Sequence, residues 1–358
     1  MHHSRVMLAI LIAALAFADA SSEDGMAIRV GVLADFVESQ SNVRPADGYR
    51  LFTLQPSRDR SVGLMQGHAE ITGSSPSVWW RVALQDGWFP DANYTGADYD
   101  WRFLQEASVG LRASDRLSIT GGVMPSHIGY ESMIARDNLT LSRSFTADNT
   151  PYYETGLSGT YSATENLSIS LLLLNGWQRI VDNNDDLSLG TACKWRPDSS
   201  VTFSWNTYIG NDQPRDKPSL MRFHNNIWCE WKATDKLALV GLLDLGLQQR
   251  PSSGTSTQWY TGLVSRYNLS ASFRLAARIE HYADPNAVIV QTPLGGGFIA
   301  TSASLNADYD VTENILARVE CRRVDYNGLF INAKTDNARS GETYITLSVS
   351  ARFTTGPL

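Results

Sequence analysis

Apolar and polar residues alternate along short segments of this chain, and turns of one recurring kind join the segments. Six times an apolar or aromatic residue is followed six positions later by another apolar residue: Leu111/Leu117, Tyr161/Leu167, Trp195/Val201, Trp231/Leu237, Tyr267/Phe273 and Tyr309/Ile315. The residues between, such as Arg-Ala-Ser-Asp-Arg and Asp-Val-Thr-Glu-Asn, favour turns over strand interiors. Outward from each turn the pattern has the period of two that belongs to a strand. After Phe273 one face carries Phe273, Leu275, Ala277 and Ile279, and the other carries Arg274, Ala276, Arg278 and Glu280. Extended along the chain, this pattern predicts sixteen strands between residues 28 and 353, among them 77–88, 167–178, 315–325 and 342–353.

Short turns join the strands at one end, whereas the connections at the other end are longer and irregular, the longest running from about 127 to 151. Strands of about ten residues are long enough to cross a hydrocarbon layer when tilted. A soluble sandwich alternates too, but a closed sheet of sixteen strands is too wide for side chains to fill, so its polar face belongs inside and its apolar face outside. Aromatic residues at strand ends fit an interfacial girdle: Tyr161, Trp195, Trp231, Tyr267, Tyr309 and Phe353, with Trp80, Trp88, Trp177 and Trp259. The fold class is therefore read as all-β: a transmembrane antiparallel β-barrel of sixteen strands, with short periplasmic turns, long extracellular loops and an inward-folded third loop.

Residues 1–20 read as a signal peptide: a basic start with His2, His3 and Arg5, an apolar run from Val6 to Phe17, then Ala18-Asp19-Ala20. Residues 21–358 then form a single barrel domain in the bacterial outer membrane. The net charge of -7 argues against a nucleic-acid partner. Cys193, Cys229 and Cys321 have no metal-site or disulfide spacing. Asp182-Asn-Asn-Asp-Asp186 carries oxygen ligands without the spacing of a calcium loop, and reads as a solvated turn. No cofactor is implied.

Several motifs carry a family resemblance: Pro125-Ser-His-Ile-Gly-Tyr-Glu131, Arg136-Asp-Asn-Leu139, Pro151-Tyr-Tyr-Glu-Thr-Gly156, Asn175-Gly-Trp-Gln-Arg-Ile180, Ile209-Gly-Asn-Asp-Gln-Pro214 and Ala277-Arg-Ile-Glu-His-Tyr282. Together, and in this order, they resemble the beta-barrel porins of the OmpL-like type, from about residue 60 to 353. The resemblance implies an outer-membrane channel for small hydrophilic solutes or ions and supplies no catalytic residues. The last strand, alternating from Tyr344 to Phe353, resembles the signal read by the outer-membrane barrel assembly machinery, although Thr354 to Leu358 follow it. General porins of this size form homotrimers in contact with outer-membrane lipid, which gives the remaining expected partners.

A loop as long as 127–151 calls for a function or a fold of its own. In general porins the corresponding loop narrows the barrel, with carboxylates and basic residues facing each other. By that resemblance Glu131, Arg136, Asp137 and Arg143 are the constriction residues, with Glu131 and Asp137 opposite Arg81, Arg102 and Arg112. Strand parity adds Arg278, Glu280, Arg318, Glu320 and Arg322 to the pore wall. Opposed charges at a narrow aqueous passage would create a transverse field. Two other classes compete. A barrel lipid hydrolase needs a Ser activated by a nearby His, and no His has Ser two residues away on one strand face. A closed barrel could act in adhesion or partner binding through the loops at 40–61 and 326–341.

Overall fold

In a computed structural model, which describes residues 26–45, 47–50, 52–290, 297–332 and 337–356, each of the six spaced pairs brackets a turn closed by its third residue. Ser114 Oγ accepts a hydrogen bond from the Leu117 amide, Asp198 Oδ1 from Ser200, Thr234 Oγ1 from Leu237, Ser270 Oγ from Phe273 and Thr312 Oγ1 from Ile315, all between 2.7 and 3.1 Å. Thr164 Oγ1 does the same for the Asn166 amide at 3.2 Å. A short polar side chain that bonds its own backbone is the turn chemistry of Ser, Thr and Asp. A seventh short turn uses Ser75, whose Oγ accepts from the Val78 amide at 3.1 Å.

The strands are β1 (Ala27–Ser41), β2 (Val62–Ser74), β3 (Val78–Asp86), β4 (Leu104–Arg112), β5 (Leu117–Pro125), β6 (Tyr153–Ser162), β7 (Leu167–Leu174), β8 (Ser188–Trp195), β9 (Val201–Asn211), β10 (Met221–Lys232), β11 (Leu237–Gln249), β12 (Thr255–Asn268), β13 (Phe273–Asp284), β14 (Phe298–Asp310), β15 (Ile315–Asn332) and β16 (Asn337–Thr354). Each pairs antiparallel with its sequence neighbours, and β1 pairs with β16 to close the barrel. Closure leaves no sheet edge unpaired. No described helix is long and apolar enough to cross a membrane. The signal segment at 1–20 lies outside the described residues.

Across neighbouring hairpins the spaced pairs meet as one ring: Leu117 opposite Tyr161, Leu167 opposite Trp195, Val201 opposite Trp231, Leu237 opposite Tyr267 and Phe273 opposite Tyr309. Tyr161, Trp195, Trp231, Tyr267, Tyr309 and Phe353 are exposed on the outer surface. Trp88 and Trp177 are not part of it. The strand expected to run to residue 88 stops at Asp86 because Gly87 turns the chain at φ 124, where a Cβ would stand 2.7 Å from the Met65 carbonyl oxygen. Trp88 thereby opens α1 (Trp88–Asn93). The strand expected to run to 178 ends at Leu174, ahead of Gly176 at φ 139.

The two loops considered for external binding are also placed differently. Most of 326–341 belongs to the β15/β16 hairpin, which continues past a register shift between Asp325 and Phe330. The run Leu329-Phe330-Ile331 suits a strand better than a loop. The connection after β1 turns inward: Arg50 pairs with Glu342 at 3.0 Å and its guanidinium lies 3.2 Å over the Tyr344 ring, while Gln55 donates to the Met133 carbonyl at 2.8 Å. Phe52 packs on Phe298 inside the barrel, with ring centres 4.6 Å apart.

Candidate functional site

The third loop leaves β5 at Pro125, crosses the lumen and lies against the far wall. His127 anchors its start. One ring nitrogen is 2.8 Å from the Glu154 carboxylate and the other is 2.8 Å from the Thr207 carbonyl, so only an imidazolium donates to both. Burial opposes that charge, and the Glu154 carboxylate outweighs it, holding the His127 pKa above the usual histidine range. Further along, the Gly129 amide donates to Asn226 Oδ1 at 3.0 Å, and Asn138 closes the loop on itself through the amide and carbonyl of Ser132. The loop contains a 3-10 turn (Ala135–Asp137) and α2 (Phe145–Asn149), which is capped by Ser144 Oγ.

The far wall receives the loop through charged groups. Arg278 donates to the Ser142 carbonyl at 2.7 Å and to Thr140 Oγ1 at 2.9 Å. Glu280 accepts from the Phe145 amide at 2.8 Å, and Glu320 from the Ser142 amide at 2.5 Å. Arg322 joins Glu280 at 2.6 Å, bonds the Arg143 carbonyl at 3.0 Å and lies 4.7 Å over the Phe145 ring. Arg318 bonds the Ala135 carbonyl at 2.6 Å and Asp308 at 2.7 Å. These five of the eight predicted wall residues are inward-facing, as parity requires, but the loop covers them and none exceeds 3% exposure. Charges taken this far out of water persist only when paired and hydrogen-bonded, which is how these are arranged.

The predicted constriction residues follow the same logic. Glu131 accepts from the Ser144 amide at 2.9 Å and lies 3.6 Å from Arg278. Arg143 donates to the carbonyls of Ser132 and Ala147 and covers the Tyr152 ring at 3.8 Å. Arg136 reaches the carbonyls of Asn314 and Ser350 at the short-turn end, and Asp137 pairs with Arg352 at 2.7 Å. Of the expected opposition of Glu131 and Asp137 to Arg81, Arg102 and Arg112, the structure brings together Glu131 and Arg81, which line one cavity with Arg143, and leaves the rest apart. Arg102 pairs with Asp91 at 2.8 Å in the loop before β4, and Arg112 bonds the Pro76 carbonyl at the turn after β2.

Arg81 alone of those three faces the loop. Side-chain oxygens of Glu70 and Glu106 hold it at 2.6 Å each, and it remains 30% exposed. It lines two adjoining spaces: a cavity of about 110 Å³ against the loop residues Glu131, Met133, Ile134 and Arg143, and one of about 370 Å³ toward the short turns, where Thr120 and Ser158 face it. A third cavity of about 420 Å³ opens at the long-loop end beside Trp177 and Arg179. Glu70 and Glu106 sit at inward strand positions that parity could have identified; Trp177 and Arg179 lie in an irregular connection that carries no periodic signal. Among the described residues no group of three or more His, Cys, Asp or Glu is disposed to hold a metal.

The comparisons agree with the barrel fold. The anion-selective porin from Comamonas acidovorans is similar in structure at a TM-score of 0.63 and 10% identity, over 92% of this chain and 100% of that one. The outer membrane channel DcaP of Acinetobacter baumannii is similar at 0.61 and 9%, over 93% and 99%, and OmpF of Salmonella typhi at 0.56 and 10%, over 92% and 97%. At such identities the likeness shows the fold. No curated protein matches the sequence. The family model described as "Putative beta-barrel porin-2, OmpL-like" matches residues 27–353, nearly the whole barrel. The chain is therefore an outer-membrane porin and belongs to the OmpL-like beta-barrel porin-2 family.

Proposed function

We propose that this porin is a passive diffusion channel for small hydrophilic solutes or ions, and that its passage runs between the third loop and the wall formed by β2 to β7. The observation that carries this reading is the partition of charge: the loop neutralises its polar groups against the far wall, while Glu70, Arg81 and Glu106 stay at the edge of open space. In this reading Glu131, Arg136, Asp137 and Arg143 hold the loop in position, and Arg81 with its two carboxylates sets the field that solutes meet. Diffusion needs no catalytic residue and no cofactor. The decisive experiment is single-channel conductance of the refolded mature protein in a planar bilayer, compared with a variant lacking residues 130–147. Steady conductance that rises on deletion supports the reading, and silence in both forms sinks it.

The same reading takes residues 1–20 as the export signal, residues 21–358 as one barrel, and insertion as the work of the barrel assembly machinery acting on the alternating last strand that carries Phe353. Cys labels at Thr164 and Asp235 should be protected on intact cells, and labels at Asn183 and Ser253 should react; the reverse would invert the barrel. A homotrimer is the proposed assembly, in keeping with the trimer form described for OmpT of Vibrio cholerae, a barrel of the same fold. Cross-linking in native membranes that yields monomers alone would remove it.

A further inference from the structure

Arg179 differs from the other inward arginines. Arg278, Arg318 and Arg322 are each held by carboxylates and carbonyls, whereas Arg179, half-buried at the mouth, makes no described ion pair or hydrogen bond through any of its nitrogens, and its Nε is buried. An unpaired buried donor is costly to leave unmet. The cavity it lines has a volume of about 420 Å³, within the range that holds small organic ligands.

The other charged side chains around this space already have hydrogen-bond or ion-pair partners. Arg222 pairs with Asp212 at 3.1 Å and lies 4.9 Å over the Trp177 ring. Asp148 accepts from Tyr152 at 2.8 Å and from the Leu54 amide at 3.2 Å, and its burial, only partly offset by the Arg143 guanidinium, holds its pKa above the usual carboxylate range. Asp98 receives Tyr153 and the amides of Ile180 and Val181. Arg179 is therefore the one charged side chain without a described ion pair or hydrogen bond among the described residues lining the cavity, and Trp177, Val288 and Ile289 give the same cavity an apolar side.

We infer that the long-loop mouth holds a binding subsite for a small organic carboxylate, with the Arg179 guanidinium on the carboxylate and Trp177 against the hydrocarbon part. A planar guanidinium matches a carboxylate through two parallel N–H donors, and the apolar side distinguishes an organic acid from an inorganic anion. The subsite deepens the channel reading, because a solute bound at this mouth stands above the passage at Arg81.

The test is calorimetric titration of the refolded barrel in detergent with sodium benzoate, benzyl alcohol and sodium phosphate. Saturable benzoate binding is expected, with neither other probe matching it. Arg179→Gln should weaken benzoate about tenfold or more, and Arg179→Lys should fall between. Because Arg179 holds no partner, both variants should keep the wild-type circular dichroism spectrum and heat-modified gel mobility. Benzoate binding that is absent, unchanged in Arg179→Gln, or equalled by phosphate overturns the subsite. The titration needs no current, so a silent bilayer would count against the diffusion reading alone.

Discussion

The barrel wall has two halves that obey one alternation rule and do different work. Strands β3 to β8 have 8 to 10 residues, and β10 to β16 have 12 to 18. On the short side the inward residues Ser108, Thr120, Ser158 and Ser170 are half-exposed. On the tall side Asp244, Glu280, Ser302, Asp308, Arg318 and Glu320 are buried under the third loop. Inward and polar therefore means lumen lining on one side and loop anchor on the other. What separates them is the loop, whose root is clamped by His127 and whose body lies against β10 to β16.

The largest expected effect comes from breaking the tall side. Arg322→Met leaves Glu280 buried without one of its cations, a change that costs about 3–5 kcal/mol when a buried pair loses one member. Urea unfolding of the refolded barrel should read that loss, and the freed loop should raise open-channel noise. A variant as stable and as quiet as wild type would mean that the loop is held by its apolar contacts alone.

A change on the short side should alter selectivity more than stability. Arg81→Gln removes the positive charge and leaves Glu70 and Glu106, so the zero-current potential in a salt gradient should shift toward cations. Arg81 and Glu70 are partly exposed but Glu106 is buried, which puts the stability loss at about 1–3 kcal/mol, below that of Arg322→Met. An unaltered potential would place the selective point elsewhere in the lumen.

The clamp between the halves should respond to pH. A folded-state pKa raised above the unfolded one gives stabilisation that is complete below the usual histidine value of about 6.5 and fades as pH rises through the folded value. Loop fluctuations, read as current noise, should increase over that rise, and His127→Ala should show the noise at all pH values. A wild-type record that is flat across the range would remove His127 as the clamp.

The smallest effect belongs to the turns. Thr164→Ala or Thr312→Ala deletes a side-chain bond to the backbone and should cost about 1 kcal/mol without changing conductance. A change in conductance would show that the short-turn end contributes to the passage.

The sequence by itself determined the strands, their count and their faces, because each follows from local chemistry. Period-two alternation sets the face, and a Ser, Thr or Asp at the third turn position closes each of the six hairpins onto its own backbone. It also located the loop that matters, by length. Only the tertiary structure decided which charges meet. Glu131 and Arg278 are separated by more than a hundred residues, as are Ser142 and Glu320, and nothing local distinguishes Arg322, sealed under Phe145, from Arg81 at the edge of open space. Alternation assigns a side chain to the lumen, but whether water or another segment of the chain meets it there depends on where a long loop comes to rest.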